Sequence, residues 1–238
     1  MLLRLLGLLM LASCAGAPQQ GIEPQPTTIP AAEAAVEAEL QARQRIVQIA
    51  EEYVNHQWSG SEKNAFHGAD EWRNQIDTPD QMRLPDHGWS LSGGKNVGVP
   101  YQWGGFSSLD EFNQGIAAGL FGGHLPTRGL SVYTREAVGV DCSGLVSRCW
   151  ELSSKRSTRS LPSICMQLRS YDQLLAGDIL NLLDRHTMLF VEFENGDKSL
   201  LKVIEATAAK GKVHYSSYRR EVLIEKGYLP LRSKRFSR

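Results

Sequence analysis

Read by the spacing of its apolar residues, the chain divides into a front part of helical period and a back part of strand period. Over residues 31–58, Val36, Leu40, Val47, Ala50 and Val54 recur at three- and four-residue steps with Glu, Gln and Arg between them. That spacing predicts an amphipathic helix burying one stripe. Residues 141–152 repeat it over a shorter length, with Leu145, Val146, Cys149 and Leu152 on one face. Asp141 stands where a carboxylate caps the unpaired N–H groups of a first turn. Further on the period shortens. Residues 178–183, 187–194, 199–206 and 212–218 are β-prone runs, two of them joined by Asn195-Gly196-Asp197, and together they predict an antiparallel meander. Helices first and sheet second is an α+β order, with the 141–152 helix packed on the sheet.

Two stretches hold neither period. Residues 59–96 mix Gly, Asp, Asn and Pro with Trp and Phe, and residues 106–138 include Phe121-Gly122-Gly123-His124-Leu125-Pro126 beside a short helical pattern over 109–120. Both read as insertions, and long loops in compact domains often carry function. The tryptophans Trp58, Trp72, Trp89 and Trp103 fit either loop packing or stacking on sugars. Residues 15–30 are rich in Pro, Gln, Thr and Ala with no apolar rhythm, the composition of a flexible tether.

The chain has 238 residues, enough for one good-sized core plus an anchor and linker. Lys plus Arg and Asp plus Glu are 26 each, for zero net charge. No broad positive field exists to gather phosphates, so nucleic acid is not expected as a partner. The basic ending at Arg232, Lys234, Arg235 and Arg238 reads as a solvated tail.

The first ten residues, MLLRLLGLLM, are apolar around Arg4 and too short to span a bilayer, as in a secretion signal. Leu11-Ala12-Ser13-Cys14 then resembles the lipobox of bacterial lipoproteins, in which the cysteine thiol accepts the lipid. The implied organisation is a signal peptide over 1–13, a tether over 14–30 and a domain over 31–238. The implied location is the bacterial cell envelope, with the membrane held through lipid on Cys14 and the outer membrane's periplasmic face as the expected site. Several acyl chains on one cysteine suffice for stable anchoring. Of the four cysteines, Cys142, Cys149 and Cys165 then remain. An odd number leaves an unpaired thiol, which in an oxidising compartment is either buried or chemically used. Cys142 and Cys149 lie about 10 Å apart along one helix, beyond disulfide reach. Cys165 is either buried or joined to Cys149.

Cys142 opens its helix, where the dipole and free N–H groups favour a negative sulfur and can receive an oxyanion. His186 begins a strand, from which an imidazole can face the helix start and pair with a thiolate. A third polar group is needed to orient the ring. Glu205, among Val203, Ile204 and Ala206, leads for that role, with Asp184 in reserve. No short paired ligand spacing or helical i, i+4 pair suggests a metal, and no cofactor is expected.

At these residues the sequence resembles the NlpC/P60 superfamily. Val140-Asp141-Cys142-Ser143-Gly144-Leu145 is similar to its nucleophile motif, and Pro100-Tyr101-Gln102-Trp103-Gly104-Gly105 to its Tyr-x-Trp-Gly-Gly element. Ala176-Gly177-Asp178-Ile179 matches the turn and strand before its histidine, and Val203-Ile204-Glu205-Ala206 the position of its third polar residue. The four elements occur in the family's order over about half the chain. The resemblance implies a papain-like fold with Cys142 as nucleophile, His186 as base and later acid, and Glu205 as orienter. It also implies that Tyr101, Asp141, Ser143 and Trp103 line the substrate side, where the family holds the free amino end of a stem peptide or shapes the oxyanion site. The implied activity is hydrolysis of amide bonds in peptidoglycan stem peptides. The sequence departs from the family at His186-Thr187-Met188, in having Glu as third residue, and in its enlarged loops. Another amidase, an acyltransferase or a catalytically silent wall-binding lipoprotein therefore remain as alternatives. The two insertions, adjoining residues 101–105, are expected to flank the cleft.

Overall fold

The computed structural model describes residues 29–71, 73–126 and 133–236. The signal peptide, Cys14, nearly all of the tether, Trp72 and part of the second insertion lie outside the described residues. Four α-helices are present among the described residues: α1 (Ile29–Asn55), α2 (Leu109–Ala117), α3 (Cys142–Cys149) and α4 (Arg220–Glu225). The main sheet comprises β7 (Cys165–Gln167), β8 (Ile179–Leu182), β9 (His186–Phe193), β10 (Leu200–Thr207), β11 (Lys212–Arg219) and β12 (Leu229–Ser233). Its spatial order is β11-β10-β9-β8-β12-β7, with every pairing antiparallel. Helices and an antiparallel sheet in this arrangement are compatible with an α+β class.

The four strands β8 to β11 match the expected meander to within a residue or two at each end. β12 and β7, which extend the sheet past β8, and α4, which follows β11, carry no period long enough to announce them. Alternation along the strands gives the sheet two apolar faces. Ile179, Leu189, Ile204, Ala206 and Val213 pack in one cluster with Ile46, Ala50, Leu145, Val146 and Trp150 of the helical layer. Leu180, Met188, Phe190, Leu201 and Val203 form a second cluster with Tyr171 and Leu223.

The first helix forms where the spacing predicts but ends at Asn55, and only part of the expected stripe turns inward, with Ala50 buried and Val54 packed against the core. Val36 and Leu40 are 71% and 49% exposed, while Arg43, Ile46, Ile49, Ala50 and Tyr53 are buried. The reason is a buried charge cluster. Arg43 donates to Asp178 at 2.9 Å, and Arg232 donates to the same carboxylate at 2.7 Å. Asp178 is wholly buried, so the pair of guanidinium groups is what makes its charge tolerable there. Gly177 supplies the turn before it with φ of 85°, its carbonyl accepting from the Trp150 indole at 2.9 Å. The Ala-Gly-Asp-Ile segment thus clamps α1, α3 and the sheet together.

The 59–96 stretch is more ordered than its composition suggests. It contains a hairpin of β2 (His67–Ala69) and β3 (Gln75–Asp77), and its last residues, β4 (Asn96–Val97), pair with β1 (Gln57–Trp58). Trp58 and Trp89 pack together with ring centroids 5.2 Å apart, each indole bonded to a backbone carbonyl. These two tryptophans serve packing. In the second insertion, α2 starts with the reciprocal Ser108–Glu111 capping box, and β5 (Phe121–Gly122) pairs parallel with β6 (Ala137–Val138). The second insertion adjoins the 101–105 segment, His124 N donating to Tyr101 O at 2.9 Å, and it meets the first insertion where Leu125 N donates to Asp77 O at 2.8 Å. No helix among the described residues is long and apolar enough to cross a membrane.

Candidate active site

Cys142 is the first residue of α3, and Asp141 is its N-cap. The Asp141 carboxylate accepts from Gly144 N at 2.6 Å, Ser143 Oγ at 3.0 Å and Gly104 N at 3.1 Å, and pairs with Lys155 Nζ at 2.8 Å. Four donors fill the acceptor capacity of one carboxylate. Asp141 and Ser143 are both buried. Asp141 thus holds the helix start in place with its acceptor capacity filled, and the Ser143 hydroxyl donates to that cap. Gly144 is required by close approach: a Cβ there would sit 2.0 Å from Gly105 O. The glycines of the 101–105 segment and of the nucleophile motif are thus two halves of one contact, which presses the α3 N-terminus against that segment.

α3 packs across β9 and β10, and β9 begins at His186. Strand alternation sends Ile204 and Ala206 into the core beneath the helices and turns Glu205 the other way. His186 Nε2 donates to Glu205 Oε2 at 2.6 Å. Tyr218 on β11 donates to Glu205 Oε1 at 2.8 Å, and Ser216 on the same strand adds a further hydrogen bond. Glu205 is 1% exposed. Burial works against its charge, but the His186, Ser216 and Tyr218 bonds overcome it and hold the carboxyl down at about 2. An ionised Glu205 requires a proton on Nε2 and leaves Nδ1 as the ring nitrogen for Cys142. Burial likewise opposes the imidazolium, yet hydrogen bonding and charge interaction with Cys142 and Glu205 push His186 up to about 10. Thiol, imidazole and carboxylate form one contiguous chain.

Asp184 takes no part in it. It lies on the β8–β9 turn with φ of 59°, its carboxylate bound by Arg159 through two hydrogen bonds of 2.7 and 3.0 Å. Tyr101 is buried beside the sulfur: burial first, then the negative charges of Cys142 and Asp141, keep its phenol protonated far above the usual range. Trp103 is 39% exposed, and its backbone N–H donates to His124 O at 2.8 Å. Cys149 and Cys165 are free and buried, which decides between the two states the sequence left open for Cys165. Burial pushes the Cys165 thiol up to about 12 and that of Cys149 higher still.

Sequence reading missed Tyr218, Ser216, Lys155 and Tyr228. Tyr218 and Ser216 had a faint signal, as two polar residues of matching parity on the strand expected to pair with that of Glu205. Lys155 sits in a loop with no pattern. Tyr228 stacks edge-on to the His186 ring with centroids 6.5 Å apart. Its phenol is pushed up to about 12, first by burial and then by the charges of Glu205 and Cys142.

Compared with protein-family models, curated proteins and solved structures, the chain gives no match in any of the three.

Proposed function

We propose that this chain is a papain-like cysteine hydrolase of the NlpC/P60 kind. On this reading it is a lipoprotein held by Cys14 in the bacterial envelope that cleaves amide bonds in peptidoglycan stem peptides. The observation that carries it is the Cys142–His186–Glu205 chain, assembled from a helix start and two neighbouring strands. A structural role accounts poorly for a nearly buried glutamate whose partners are an imidazole, a phenol and a hydroxyl, because unpaired apolar residues would fill that space at less desolvation cost.

The chemistry follows from the contacts. The proton of the Cys142 thiol rests on His186 Nδ1, and the sulfur attacks the amide carbonyl carbon. The oxyanion falls to the N–H groups of Cys142 and Ser143, since Asp141 already binds those of Gly144 and Leu145. The protonated Tyr101 phenol, beside the sulfur, supplies a further donor. The C–N bond breaks as His186 protonates the departing amine, leaving a thioester on Cys142. Water, deprotonated by His186, then releases the acid and restores the thiol. Glu205 keeps the proton on Nε2 and supports the imidazolium formed in both steps.

The saturated Asp141 bears on which stem peptide fits. Lys155 already provides the ammonium that a free amino terminus would otherwise bring, which favours substrates presenting no such terminus at this point. Incubating the protein with purified peptidoglycan fragments and recording product masses tests the activity. Hydrolytic products from the wild type and none from Cys142→Ala are expected. Equal fragment binding by both proteins with no cleavage by either points instead to the silent wall-binding reading.

A further inference from the structure

Beside the imidazole lies a cavity of about 500 Å³ lined by Leu182, Arg185, His186, Lys226 and Tyr228. Its two cationic side chains come from separate elements. Arg185 immediately precedes β9, and Lys226 is the C-cap of α4. No acid lines the cavity. Asp184, next to Arg185 in sequence, is held by Arg159, and Glu205 is buried between His186 and Tyr218. Arg185 and Lys226 make no ion pair with a described residue. Two unneutralised cations converging on the wall of a reactive cleft focus a positive potential there.

We infer that Arg185 and Lys226 form a subsite for a carboxylate of the substrate, placed on the His186 side of the scissile bond. The inference rests on the reading of Cys142 as nucleophile and goes beyond it by naming a charged group the substrate must carry. A guanidinium presents paired donors that match a carboxylate, and an ammonium on a flexible stem adapts to its position. The Tyr228 phenol, kept protonated, supplies a neutral donor on the same wall. The peptide to be cleaved therefore bears an acidic group close to the broken bond. The same cations disfavour substrates with a basic residue there.

Two alkylating reagents of similar size, one anionic and one neutral, read this directly. Iodoacetate carries the carboxylate and iodoacetamide does not, and both transfer their methylene carbon to the Cys142 sulfur with loss of iodide. The quantity measured is the ratio of their rate constants at Cys142 in the full-length protein, followed by peptide mass mapping. Arg185→Gln with Lys226→Gln is expected to lower that ratio about tenfold, on the Coulombic effect of two charges in a solvent-open cavity. Raising the salt is expected to diminish the wild-type preference. Arg185→Lys, which keeps the charge, retains most of it, and Lys63→Gln, at a residue that does not line the cavity, leaves it unchanged. Under turnover, the double variant loses the preference for a carboxylate-bearing peptide over its carboxamide twin, chiefly in KM. An unchanged ratio while iodoacetamide still reacts rapidly overturns the subsite alone. Failure of Cys142 to react with either reagent overturns the nucleophile assignment and the subsite with it.

Discussion

Replacing Glu205 by Gln removes one charge and leaves a side chain of nearly the same shape, which makes it the sharpest probe of the imidazole's environment. Glu205 accepts from His186 at 2.6 Å and from Tyr218 at 2.8 Å. A hydrogen bond to a charged partner contributes about 1.5–3 kcal/mol, or about one to two pKa units. The His186 midpoint, about 10 in the wild type, is therefore expected to fall to about 8–9 in the variant. It does not return to the ordinary histidine value, because Cys142 still supports the imidazolium. The same charge pair contributes to stability, and the sign differs at its two ends. His186 is raised, so its contribution is whole below the ordinary histidine range and is lost as pH climbs through about 10. Glu205 is lowered, so its contribution is whole above the ordinary carboxylate range and is lost as pH falls toward about 2. The wild type should thus melt above Glu205→Gln by roughly 4–8 °C near pH 6, for a difference of about 2 kcal/mol in a domain of this size. The gap should close toward both extremes. NMR titration of the His186 ring protons gives the midpoint, and calorimetry across pH gives the gap. A midpoint that stays put, or a melting difference independent of pH, refutes the account of how the imidazole is charged.

Other consequences are as direct. In the folded protein near neutral pH, iodoacetamide should label Cys142 at least a thousandfold faster than Cys165, whose thiol at about 12 is ionised in only about one molecule in 10⁵; comparable labelling of Cys149 or Cys165 speaks against the site. Gly144→Ala should cost about 1–3 kcal/mol and slow Cys142 alkylation more than tenfold, because its Cβ meets Gly105 O; a variant with wild-type melting and labelling shows that the close approach is unimportant. Asp178→Ala strands Arg43 and Arg232 and should destabilise by about 3–5 kcal/mol in urea titration; a loss under 1 kcal/mol counts against the buried cluster as the anchor of α1. Cys14→Ala should move the protein from the membrane to the soluble fraction with unchanged melting, since a lipid is the proposed anchor; persistence on washed membranes contradicts that.

The parts legible in the sequence are those governed by local rules. Asp141 followed by an apolar helical face marked α3 and placed Cys142 at its first residue, because capping and periodicity are properties of neighbours along the chain. The β8–β11 meander was legible for the same reason, strand alternation plus the Asn195-Gly196-Asp197 turn. What escaped depends on partners far apart in sequence. The inward face of α1 is set by Arg43 reaching Asp178, a contact that no spacing within the helix encodes, so hydrophobicity alone turns Val36 and Leu40 inward where the fold leaves them exposed. The contest between Glu205 and Asp184 likewise turned on Arg159, which occupies Asp184, and on Tyr218, which occupies Glu205. β12 is five residues with a proline, too short for a period, and it is strand only because β8 and β7 pair with it.

The central claim is that Cys142 carries the acyl group, and intact-mass analysis of the protein acid-quenched during turnover of peptidoglycan fragments tests it most directly. The account predicts a mass increment equal to the acyl half of the cleaved peptide. Fragment mapping should place it on the peptide containing Cys142, and neutral hydroxylamine should remove it. Accumulation of product with no such adduct, or at an undiminished rate in Cys142→Ala, contradicts the account.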